Sequence, residues 1–85
     1  MKEFSYTVKD PNGMHARPCG LFAKEAGKFS SKITVKSEKG EADAKGIFQL
    51  MGLCIKSGET IYVKCDGADE TDASKKLLDF LDNNL

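Results

Sequence analysis

Thr60-Ile61-Tyr62-Val63-Lys64-Cys65 is the stretch from which the fold can be read. Side chains of an extended chain point alternately to opposite faces, so Ile61, Val63 and Cys65 share one face while Tyr62 and Lys64 take the other. A strand with one apolar and one polar face belongs in a largely antiparallel sheet covered on one side only. Two other segments repeat the pattern. Phe4, Tyr6 and Val8 alternate with Ser5 and Thr7, and Ile33 and Val35 alternate with lysines and a threonine. Glu38-Lys39-Gly40-Glu41 reads as a hairpin-like turn leading into a short, weak strand near residues 41–44.

Between the strands the period changes to that of a helix. From Ala16 onward, Cys19, Phe22, Ala23 and Ala26 form one stripe, with Gly20, Lys24 and Lys28 facing away; Gly27 and Phe29-Ser30-Ser31 mark the end. Near the end of the sequence, Ala73, Leu77, Phe80 and Leu81 form a second stripe. Asp69 is placed to cap that helix, and Glu70 and Asp72 bring negative charge to its positive end. The order is strand, helix, strand, strand, short helix, strand, helix. It predicts an α+β open-faced sandwich, one antiparallel sheet with its helices packed on one side.

Length and composition bound the rest. Eighty-five residues suffice for one small domain, expected to span 1–85. Such a chain buries about 60–65% of the surface its unfolded form exposes. Thirteen basic and thirteen acidic side chains balance, which argues against a nucleic-acid binder. No apolar run approaches the about 18 residues of a membrane span. Cys19, Cys54 and Cys65 are odd in number and form no C-x-x-C pair, so neither a disulfide framework nor a metal site is expected. Reduced thiols and a cytoplasmic location are the simple reading, with Cys65 acting as a small core hydrophobe.

The segment Gly46–Ile55 is too apolar for one face of a short helix. Ile47, Leu50, Met51 and Cys54 make one helical stripe, with Phe48, Gly52 and Ile55 beside it. Two readings stand at this point. Either the segment is buried under the sheet, or part of it stays exposed as a docking patch.

The chemistry concentrates in Asn12-Gly13-Met14-His15-Ala16-Arg17-Pro18. His15 is the single histidine, placed after a turn and beside a helix start. A neutral imidazole nitrogen is a nucleophile at physiological pH and can carry a covalent intermediate. Unpaired N–H groups at a helix N-terminus favour an anion, and Arg17 can add charge-assisted hydrogen bonds to phosphate oxygens. The helix dipole helps keep the imidazole unprotonated. Pro18 falls in the first turn, where its missing N–H costs no helical bond, but it disfavours helical geometry at Arg17, so the helix starts at Ala16 or at Pro18. The bland alternative is an idle surface histidine beside a solvated arginine.

The whole chain resembles the HPr family, the histidine-containing phosphocarriers of the bacterial phosphoenolpyruvate-dependent sugar phosphotransferase system. Gly13-Met14-His15-Ala16-Arg17-Pro18, the amphipathic helix, the apolar 47–55 segment and Gly67-Ala68-Asp69-Glu70 occur in the family's order. The resemblance implies four antiparallel strands covered on one face by three helices. It implies that His15 takes a phosphoryl group through Nδ1 from enzyme I and hands it to the IIA components of sugar permeases, with Arg17 steadying the phosphate. Ala16, Gly20, Lys24, Ile47, Phe48, Gln49 and Met51 fall on the family's docking surface. No cofactor or metal is implied, phosphoenolpyruvate being bound by enzyme I, and a monomer is expected.

The chain departs from the family pattern in several places. Where many relatives carry a regulatory serine at the start of the short helix, phosphorylated by HPr kinase/phosphorylase, this chain has Gly46, which has no hydroxyl. Ser37 and Ser57 do not match the motif. Cys19, Gly20, Gly52 and Cys54 also differ from the usual residues and bear on partner choice. A regulatory binding module, or a specialised branch of the relay acting on a transcription factor or enzyme, is therefore the second expectation. Cys19, one turn from His15, raises a further one: a thiol near a helix N-terminus can be activated and oxidised, unless it sits in the core.

Overall fold

The computed structural model describes residues 1–14 and 16–84. Seven elements follow the expected order: β1 (Lys2–Thr7), α1 (Ala16–Ala26), β2 (Lys32–Ser37), β3 (Gly40–Asp43), α2 (Ile47–Gly52), β4 (Thr60–Asp66) and α3 (Glu70–Asn84). The sheet order is β1-β4-β2-β3, every pairing antiparallel. The strand with the cleanest alternation, β4, is central, with Val63 opposite both Phe4 and Val35. Tyr62 and Lys64 are exposed, whereas Ile61, Val63 and Cys65 are fully buried.

The inner sheet face meets the helical stripes. Cys19, Phe22, Ala23 and Ala26 of α1 and Ala73, Leu77 and Leu81 of α3 are all buried. Phe22 and Phe80 hold the two helices together, ring centroids 5.7 Å apart and tilted by 53°, an arrangement that brings a positive ring edge toward a negative face.

Three expectations are corrected. First, Asp69 does not cap α3 with its side chain. Its carboxylate turns to the loop after α1, accepting from the Ser30 amide at 2.8 Å, the Ser31 amide at 2.9 Å and the Ser31 hydroxyl. Gly67 lets this happen, since a Cβ there would lie 2.7 Å from the Ser31 Cα. Two N–H groups of a non-helical loop thus outcompete the helix for one carboxylate.

Second, the 47–50–51–54 stripe breaks. The helix α2 is only six residues long, Leu53 closes it, and Cys54 follows at φ +49°. That left-handed residue ends the helical period, so Leu50, Leu53 and Ile55 point inward while Cys54 is exposed. Third, Gly20 does not simply face away: it is half-buried against α2.

Candidate functional site

The turn before residue 15 is built by its own backbone and by the segment after α2. The Asp10 carboxylate accepts from the Asn12 amide at 2.9 Å, and the Asp10 carbonyl from the Gly13 amide at 2.8 Å. Gly13 then takes φ +66°, a conformation that L side chains rarely adopt. The Met14 amide donates to the Ile55 carbonyl at 2.9 Å. The residue before His15 is therefore tied to the segment leaving α2. Met14 itself is buried in the core.

His15 lies outside the described residues. The residues just after it are described: α1 begins at Ala16, which settles the helix start, and Ala16 and Arg17 are exposed while Pro18 is buried in the first turn. Arg17 lines a shallow groove with Asp10, Pro18, Leu21, Asn83 and Asn84. That groove brings the start of α1 beside the last turn of α3, which carries no basic residue of its own. A guanidinium is favoured there by the helix dipole.

The Cys19 thiol is fully buried and donates to the Met14 carbonyl at 3.2 Å. Burial pushes its pKa up. A protonated, inaccessible thiol is the opposite of an activated one, so the structure goes against an oxidation switch at Cys19. What the sequence offered as a candidate reactive group is instead part of the support beneath Met14.

The other site candidates lie on α1 and α2. Lys24 is exposed on the outer side of α1. On α2, Phe48 is 83% exposed and Met51 38%, Gln49 is exposed and Ile47 half-buried. The exposed-patch reading of this segment therefore holds for Phe48 and Met51, and the buried one for Leu50, Leu53 and Ile55. A Cβ on Gly20 would lie 3.1 Å from the Ile47 Cδ1, so the missing side chain lets α2 lie close on α1. Gly46 has no side-chain cap to give α2, and the Gln49 amide group lies over it, within 3.1–3.3 Å of where a Cβ would be. The Gln49 carbonyl oxygen accepts from the Asp43 amide at 3.1 Å.

The family model for the PTS HPr component phosphorylation site matches residues 2–83. The chain belongs to the HPr phosphocarrier family of the phosphotransferase system. An HPr phosphocarrier of Mycoplasma genitalium is 41% identical over 85 residues, covering 99% of this chain and 97% of the relative. An HPr-like Crh protein of Halalkalibacterium halodurans is 39% identical, covering 96% of this chain and 98% of the relative. A solved Mycoplasma histidine-containing phosphocarrier superposes with a TM-score of 0.94 at 35% identity, covering 96% of this chain and 93% of that one. The HPr arrangement of four antiparallel strands and three helices in βαββαβα order is the one described above.

Sequence reasoning missed two parts of this site. Gly13 closes the turn before His15, but its close approach to Ile55 joins positions 42 apart in sequence, which no local pattern encodes. Exposed Leu21 beside Arg17 was hidden by the helical stripe.

Proposed function

We propose that His15 is the residue that carries the phosphoryl group, through Nδ1. The observation that supports this most is the His15-Ala16-Arg17-Pro18 element at the start of α1 in a chain that matches the family over residues 2–83. The Nδ1 lone pair attacks the phosphorus of the phosphohistidine on enzyme I. The donor P–N bond breaks, and its electron pair returns to the donor ring. A second exchange of the same kind passes the group to a IIA component of a sugar permease. Arg17, in the groove beside the end of α3, supplies hydrogen bonds to the phosphate oxygens. Ala16, Gly20, Lys24, Ile47, Phe48, Gln49 and Met51 form the docking surface, Gly20 chiefly by letting α2 lie against α1. The carrier works as a single cytoplasmic domain, and no cofactor takes part.

A purely regulatory binding module is the second reading, supported by the similarity to an HPr-like Crh protein. Retention of both His15 and Arg17 favours the carrier. Gly46 removes the hydroxyl through which a kinase would regulate that position. The deciding experiment incubates the phosphorylated chain with purified IIA domains and follows phosphoryl loss. Discharge by at least one IIA domain supports the carrier; a stable phosphoprotein that none discharges favours the regulatory module.

A further inference from the structure

The helix presenting Phe48 and Met51 is poorly supported by its own sequence. Six residues are too few for a stable isolated helix. Gly46 gives no side-chain cap, and no basic residue lies in the last turn. Support comes from outside. The Lys39 ammonium, on the turn between β2 and β3, reaches across to donate to the Cys54 carbonyl and to the Glu59 carboxylate, the latter at 3.0 Å. The same Glu59 oxygen accepts from the Lys56 amide at 3.2 Å. Residues 54–56 are thus held at a carbonyl and at an N–H by one ion pair.

These are the residues on which both halves of the site rest. Cys54 follows the close of α2, its amide donating to the Met51 carbonyl at 3.1 Å. The next carbonyl, Ile55, accepts from the Met14 amide. We infer that Lys39 is a positioning residue for phosphoryl exchange, setting through Cys54 and Ile55 both the pose of the α2 docking patch and the backbone that leads into His15. This rests on the carrier reading above. Lys39 acts through the 54–56 segment, held by Glu59.

The test measures phosphoryl transfer from enzyme I to the full chain at varied carrier concentration. Lys39→Met is expected to raise the half-saturating concentration by about three- to tenfold, the range that one net hydrogen bond is worth, with the maximal rate within about twofold. Lys39→Arg restores the wild-type value. Glu59→Ala shifts the net charge the opposite way, yet the tether requires it to raise the half-saturating concentration too; a lowered one would show a mere charge effect and overturn the inference. Amide exchange at Met14 and Cys54 should quicken in Lys39→Met while β4 stays protected. Unchanged half-saturation in Lys39→Met, or a loss of rate that only tracks the unfolded fraction, overturns the inference and leaves the carrier reading intact. A wild-type chain that takes no phosphate overturns both.

Discussion

A Cβ placed on Gly13 would sit 2.5 Å from the carbonyl oxygen of Ile55 and 2.8 Å from the Lys56 Cα. The turn that delivers the chain to His15 is pressed against the backbone leaving α2, and only hydrogen fits between them. Gly13→Ala therefore meets a steric wall and an unfavourable φ together. It is expected to lose about 1–3 kcal/mol in urea unfolding, the usual cost of a residue forced into a sparsely populated backbone region. Phosphoryl acceptance should fall as well, since relief of the clash must move Met14 or Ile55. A variant as stable as wild type would show that the approach is looser than described.

Phe48 offers the opposite case. With 83% of its surface exposed, it contributes almost nothing to the core. Phe48→Ala is expected to leave stability within about 0.5 kcal/mol. If the patch docks partners, the half-saturating carrier concentration should rise about fivefold or more, as for an aromatic anchor at an interface. Chemical denaturation and transfer kinetics on the same sample separate the two effects.

Asp69 gives the fold a pH dependence. The Ser31 hydroxyl first, and then the Ser30 amide, hold its pKa at about 2, against an ordinary 3.8. A carboxylate depressed in the folded state binds fewer protons there than in the unfolded state. Its stabilisation is therefore complete above about pH 4 and is lost as pH falls through about 2. Asp69→Asn should lower the unfolding midpoint at neutral pH and flatten the acid limb. Part of that limb should survive, because Glu59, hydrogen-bonded by Lys39, is also shifted down.

The three thiols should separate cleanly. Cys54 is exposed; Cys19 and Cys65 are buried, and burial pushes both of their pKa values up. A thiol reagent is expected to modify Cys54 in the folded chain and the other two only after unfolding. Rapid labelling of Cys19 in the native state would restore the oxidation idea that its burial removes.

The alternation in β4 and the stripes of α1 and α3 were legible because each is a local periodicity, repeated often enough to fix which side faces the core. His15-Ala16-Arg17-Pro18 was legible for a similar reason: four adjacent residues hold the proposed chemistry and the helix start. Other features failed where a non-local partner decided. Asp69 looked like a helix cap, but Ser30 and Ser31, about forty residues away, offered its carboxylate two amides and a hydroxyl. The run to Cys54 looked helical until a left-handed residue ended it. Lys39 carried no pattern, since its partners Cys54 and Glu59 meet it only in the folded chain.

The measurement that bears most directly on the account is intact mass after incubation with enzyme I, magnesium and phosphoenolpyruvate, with His15→Ala alongside. The account predicts an acid-labile, phosphate-sized gain in the wild-type chain and none in the variant. No gain in the presence of a demonstrably active enzyme I, or an equal gain in His15→Ala, would contradict it.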